Sequence, residues 1–148
     1  MIALLDEKDK KIIELLKENA RISYNDIAKE IGITNVGVIK RIKKLERTGI
    51  IKKYTIVVDY RKLGYEKISI TGINTKPESM FKVLEELKEK DYVKFLAITS
   101  GDHNLIATIL AKDSNEMLKI IKEIEAMEGV EKVYPAIILD IVKDEICI

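Results

Sequence analysis

The 148-residue chain carries 26 Lys and Arg against 25 Asp and Glu, with 47% hydrophobic, 34% charged and 5% aromatic residues. That much apolar material supports a core and excludes a disordered chain. No apolar run nears the ~20 residues of a membrane span, and the N-terminal stretch turns charged too early for a signal peptide. His103 and Cys147 each stand alone among His and Cys, so one chain offers no disulfide framework and no Cys/His metal set.

Near-neutrality conceals an asymmetry. Residues 1–62 hold 15 basic and 9 acidic side chains, net +6, and residues 63–148 hold 11 and 16, net −5. A basic front and an acidic back predict two units with different partners.

The first predicted helix follows Asp6 and Asp9, spaced for an N-terminal cap, with Ile12, Ile13, Leu15 and Leu16 as its apolar stripe. The second starts at Ser23, with Asp26 three residues on, and buries Ile27, Ala28 and Ile31. Gly32 then supplies a left-handed terminus and Thr34 caps a third helix. Two short helices joined by a Gly-containing turn match the helix-turn-helix pattern.

The third helix carries the sharpest signal. From Thr34 to Lys52 there are six basic residues (Lys40, Arg41, Lys43, Lys44, Arg47, Lys52) and one acid, Glu46. At ~100° per residue, Val38, Ile42 and Leu45 share one stripe, with Ile39 beside it. Val36, Gly37, Lys40, Lys43, Lys44 and Arg47 lie opposite, and Arg41 sits at the margin. A solvated surface face usually alternates charge signs for i,i+4 pairing; this one does not. Duplex DNA, with one negative charge per ~1.7 Å of axis, complements such a face. The helix N-terminus would then lie nearest the base edges in the major groove. Asn35 is suited to an adenine edge, and small residues at Val36 and Gly37 allow close approach. Lys40, Arg41, Lys43 and Lys44 are candidate contacts to phosphate or guanine, with Ser23, Tyr24 and Thr34 completing the DNA-binding set.

After Gly49 the pattern changes to a strand over Ile51–Val58 and a connector at Arg61–Gly64. The back half then repeats itself at an offset of 37: Leu84, Leu87 and Val93 map onto Ile121, Ile124 and Val130. Each copy reads strand–helix–strand. The first comprises "KISITGIN", a helix from Pro77 to Lys90 and "VKFLAITS"; the second comprises "NLIATILA", a helix from Ser114 to Glu128 and "VEKVYPAIILDIV". In tandem they predict a ferredoxin-like βαββαβ sheet with both helices on one face. "LIATILA" is apolar on both faces, so the opposite face is expected to pack against a second chain.

The expected class is therefore α+β: a winged helix-turn-helix domain over residues 1–51, a linker strand over 52–63, and a ferredoxin-like regulatory and oligomerisation domain over 64–148. No nucleophile arrangement or phosphate loop is present, so no catalytic residue, metal site or cofactor is expected. An RNA-binding sheet is disfavoured, because the back-half strands offer only Phe95 and Tyr134 for stacking and that half is acidic. A ligand-sensing ferredoxin-like module without specific DNA binding is the alternative that the basic third helix argues against.

The stretches "ARIS", "IAKEIGI" and Val38-x-x-Arg41-Ile42-x-x-Leu45-Glu46-x-x-Gly49-x-Ile51 resemble the N-terminal domain of the Lrp/AsnC, or feast/famine, transcription regulators. "TSGDHNLIATILAKD" resembles that family's regulatory domain. The resemblance spans nearly the whole chain. It implies a homodimer built through the back-half sheets, often assembling to tetramers or octamers and binding double-stranded DNA near promoters, with the transcription machinery as a further partner; the early charges and short apolar runs make a cytoplasmic location the default expectation. The resemblance also implies an amino acid effector held between dimers, which places Ser100, Gly101, Asp102 and Asn104 at an effector or dimer–dimer contact. Two departures stand out: Asn35 where Pro is common after the cap, and His103-Asn104-Leu105 where aromatic and acidic residues are common.

Overall fold

The computed structural model describes residues 4–144; Cys147 lies outside them. The chain divides into two compact units, 1–57 and 58–148.

Three helices make the first unit: α1 (Glu7–Glu18), α2 (Tyr24–Ile31) and α3 (Asn35–Arg47). Each begins where a side chain satisfies an orphan amide. The Asp6 carboxylate accepts from Asp9 N–H and the Asp9 carboxylate accepts from Asp6 N–H, a reciprocal capping box. Ser23 accepts from Asp26 N–H, and Thr34 from Gly37 N–H. Gly32 ends α2 at φ 69°, a conformation that disfavours a Cβ. The helices close on Ile12, Ile27, Ala28, Val38, Ile42 and Leu45, which the apolar periodicity had pointed inward.

The strand expected over Ile51–Val58 does not form within the chain: residues 52–59 have no strand partner among the described residues. Strand structure is a paired state, because backbone N–H and C=O groups need a neighbouring edge. A local pattern supplies the alternation but not the edge. Ile56 and Val57 accordingly stand 79% and 68% exposed.

In the second unit the elements are β1 (Lys67–Thr75), a 3-10 turn (Pro77–Ser79), α4 (Met80–Lys88), β2 (Val93–Ile98), β3 (Leu105–Ala111), α5 (Ser114–Glu125) and β4 (Val130–Ile137). The sheet is antiparallel with order β2-β3-β1-β4, the expected βαββαβ topology. Helix and strand ends fall short of the expected ones: α4 stops at Lys88, α5 at Glu125 and β4 at Ile137. The repeat is visible in packing, since Leu87 and Ile124, 37 residues apart, are both fully buried. Both helices cover one sheet face, enclosing Ile73, Val83, Leu105, Ala107, Ile109, Met117, Ile121 and Val133. Alternation and register put Ile68, Ile70, Gly72, Ile106, Thr108 and Leu110 on the helix-free face. Ile70 is 47% exposed there, while Leu110 is buried.

Candidate nucleic-acid interface and regulatory turn

The basic residues of α3 separate into two groups. Lys40, Lys43 and Arg47 are exposed. Like Lys52 and Lys53, they make no ion pair among the described residues. At ~100° per residue these three fall on one outward stripe, which Val36, 60% exposed, extends toward the helix N-terminus.

Arg41 and Lys44 lie on the flank and turn toward α1. Arg41 Nη1 donates to Asp6 Oδ1 at 2.8 Å, Asp6 Oδ2 at 2.7 Å and Asp9 Oδ1 at 2.7 Å. Lys44 Nζ lies 3.5 Å from Asp9 Oδ2. Asp9 is only 1% exposed. The Asp6 carboxyl is held below its ordinary range, first by the Asp9 backbone N–H and then by the Arg41 guanidinium. Arg41 is held above its own by its hydrogen bonds to Asp6 and then Asp9. Arg41, expected at DNA, has one guanidinium nitrogen, Nη1, engaged by two carboxylates in this structure. Lys44 is drawn the same way, though more loosely. The marginal position of Arg41 on the helical wheel was the available signal; Asp6 and Asp9, read only as helix starters, were the missed partners.

Other candidates have local duties. Asn35 Nδ2 donates to Asn25 Oδ1, tying the start of α3 to α2. Ser23 Oγ accepts from Asp26 N–H at 3.0 Å and donates to Asp26 Oδ2 at 2.7 Å. Thr34 Oγ1 is the cap of α3, whereas Tyr24 at the start of α2 is exposed. A Cβ on Gly37 would sit 3.3 Å from both Ile33 Cδ1 and Thr34 Oγ1, tight enough that these side chains would have to give by a few tenths of an ångström. Glu46 does not balance the lysines: its Oε1 accepts from Tyr54 Oη at 2.7 Å, fastening the segment after α3 to the helix. Burial and then Glu46 push the Tyr54 hydroxyl up to about 12.

The β2–β3 turn places Ser100, Gly101 and Asp102 at the surface, with Gly101 at φ 101°. Its far side is anchored. Asn104 Oδ1 accepts from Thr75 N–H at 2.9 Å, and Thr99 Oγ1 donates to the His103 carbonyl at 2.8 Å. Asn104 thus secures the end of β1. The His103 ring folds over Gly72 on the helix-free sheet face, 4.8 Å from the Tyr134 ring and with Nδ1 3.0 Å from Asn74 Oδ1. A Cβ at position 72 would collide with the His103 ring. No sequence pattern singles out that glycine; the imidazole it accommodates explains it. Among the described residues no cluster of three His, Cys, Asp or Glu side chains could hold a metal ion. No described helix is long and apolar enough to cross a membrane.

Comparison with known proteins agrees with this geometry. A winged helix-turn-helix DNA-binding family model matches residues 5–52, and the Lrp/AsnC ligand-binding domain matches residues 68–146. The chain is 46% identical over 141 residues to the HTH-type transcriptional regulators LrpA of Pyrococcus horikoshii and of Pyrococcus abyssi, covering 95% of this chain and 100% of each relative. The solved structure of E. coli AsnC superposes with a TM-score of 0.88 at 25% identity, covering 95% of this chain and 96% of that one. A helix-turn-helix with an outward basic stripe, followed by that family's ligand-binding domain, makes this chain a DNA-binding transcriptional regulator of the Lrp/AsnC family.

Proposed function

We propose that α3 enters the major groove of double-stranded DNA, and that Lys40, Lys43 and Arg47 contact phosphates while Val36 and Asn35 lie nearest the bases. The single-sign stripe on α3 carries this reading, because it has no ion-pair partner among the described residues and matches a phosphate lattice. Ser23, Tyr24 and Thr34, at the starts of α2 and α3, lie alongside, and Lys44 contributes only on leaving Asp9. The test is a Lys40→Ala/Lys43→Ala variant titrated with DNA from low to high salt. Affinity falls for every duplex, and the salt slope flattens by ~0.9 for each phosphate no longer neutralised. A folded double variant with the wild-type isotherm overturns the assignment.

The working form is a cytoplasmic homodimer able to build tetramers or octamers. Two features support it. The helix-free face of the sheet presents Ile68, Ile70 and Ile106. The unpaired segment 52–59 exposes apolar side chains with strand alternation. On this reading residues 1–51 bind DNA, 52–63 link, and 64–148 assemble and sense. Two copies of one reading helix then select a near-palindromic site. The match to a ligand-binding domain supports a small amino acid effector, with Ser100, Gly101 and Asp102 at the effector or dimer–dimer contact and the Asn104 amide beside them. Sedimentation with and without a panel of amino acids checks this. A monomer at micromolar concentration overturns the dimer, and sedimentation and DNA binding that ignore every amino acid overturn the effector.

A further inference from the structure

We infer that Asp9 is a positioning residue for DNA reading: it holds Arg41 and Lys44 against α1, fixes the rotation of α3 about its own axis, and withholds two cations from the phosphates. This rests on α3 being the reading helix. The carboxylate is almost fully buried and both its oxygens are engaged. Oδ1 takes Arg41 at 2.7 Å; Oδ2 takes the Asp6 N–H at 3.3 Å and faces Lys44 Nζ at 3.5 Å. A buried carboxylate is costly unless partnered, so the fold is held to an arrangement that partners it.

The spacing makes that arrangement directional. Arg41 and Lys44 are three apart on α3, and Asp6 and Asp9 three apart in and before the first turn of α1. Each pair therefore faces one way. Turning α3 by one residue, ~100°, would pull both cations off Asp9 together. The outward stripe of Val36, Lys40, Lys43 and Arg47 is thereby aimed by ion pairs on its flank. Apolar packing of Val38, Ile42 and Leu45 resists such rotation less specifically, because it is not directional.

The experiment compares two duplexes of equal length: one selected from a random pool by the wild-type protein, and a shuffled control. The full-length variants are Asp9→Asn and Arg41→Ala, with Asp6→Asn as a milder version that keeps a good N-cap residue while removing one charge from the tether. Hydrogen exchange of the α1–α3 peptides confirms that each is folded at the assay temperature. The expected result is a loss of about tenfold in the selected-to-shuffled affinity ratio for Asp9→Asn and Arg41→Ala, comparable to one mismatched base pair. Asp6→Asn moves in the same direction by less. The salt slope does not fall, because every phosphate keeps its cation. If Asp9→Asn does not fold, Asp6→Asn decides. An unchanged ratio in the folded variants overturns the inference. So does an Arg41→Ala variant that weakens both duplexes equally with a slope flattened by ~0.9, since that is the behaviour of a phosphate ligand. The Lys40→Ala/Lys43→Ala protein serves as control. If it too binds as wild type, the α3 reading has failed; if it loses affinity while the Asp9 ratio holds, only the positioning role has failed.

Discussion

The two units use charge differently. In the DNA-binding unit a carboxylate that is 1% exposed sits between Arg41 and Lys44, and helix capping and tertiary contact share the same two acids. In the regulatory unit the buried polar residues are hydroxyl-bearing: Ser69, Thr71 and Thr75. Ion pairs there, such as Lys82–Glu128 and Lys90–Glu123, join exposed or partly exposed side chains. The contrast teaches that ion pairs of the same chemistry can mean different things. Solvent re-solvates a broken surface pair, whereas a broken buried pair strands a charge.

The largest expected effect breaks that contrast at its strongest point. Arg41→Ala leaves the Asp9 carboxylate with Lys44 as its one remaining cation and the Asp6 N–H as its other partner, at a cost of about 3 kcal/mol to the first unit. Hydrogen exchange of full-length protein resolves the units separately, and protection in β1–β4 should stay unchanged. Next is Gly72→Ala, which drives a methyl into the His103 ring. The overpacking costs about 1–3 kcal/mol in the second unit alone. Adding His103→Ala should recover much of it, and denaturant midpoints of the single and double variants check this.

Matched caps sharpen the comparison on a common scale. Thr34 accepts from Gly37 N–H and Asp113 from Glu116 N–H, so Thr34→Ala and Asp113→Ala should each cost about 1 kcal/mol in their own unit. Acid should then destabilise both units in the same sense. Asp6 and Glu128 are each held below the ordinary carboxyl value, Asp6 by the Asp9 N–H and then Arg41, Glu128 by Lys82. Their contributions are complete above the unfolded values of 3.8 and 4.5 and are lost as pH falls through the lowered ones. A pH titration of exchange protection from 6 to about 2 reads this, and Asp6→Asn should flatten the α1 response. The smallest effect belongs to the surface: Lys10→Ala removes an exposed i,i+3 pair with Glu7 and should leave the denaturant midpoint within error.

Much of this protein was written in local order. The caps at Asp6, Ser23 and Thr34 follow from side chains bonding amides three residues on. The core faces follow from a period near 3.6 in helices and 2 in strands. The 37-residue repeat set the βαββαβ topology, because each copy had to close against the other. The excess of cations on α3 was equally legible, since sign and spacing are properties of the chain itself.

Tertiary structure decided which of those cations remain free. Asp9 and Arg41 are 32 residues apart, and a helical wheel drawn for α3 alone carries no information about α1. The same reason explains Gly72, whose missing side chain matters only because His103 arrives from a turn elsewhere on the sheet. It also explains segment 52–59, where strand alternation is present but pairing depends on an edge that the described residues do not provide. Capping, periodicity and charge density act over a few residues and can be read from order alone. Ion-pair choice, steric accommodation and strand pairing are settled between residues far apart in sequence, and only the folded chain brings them together.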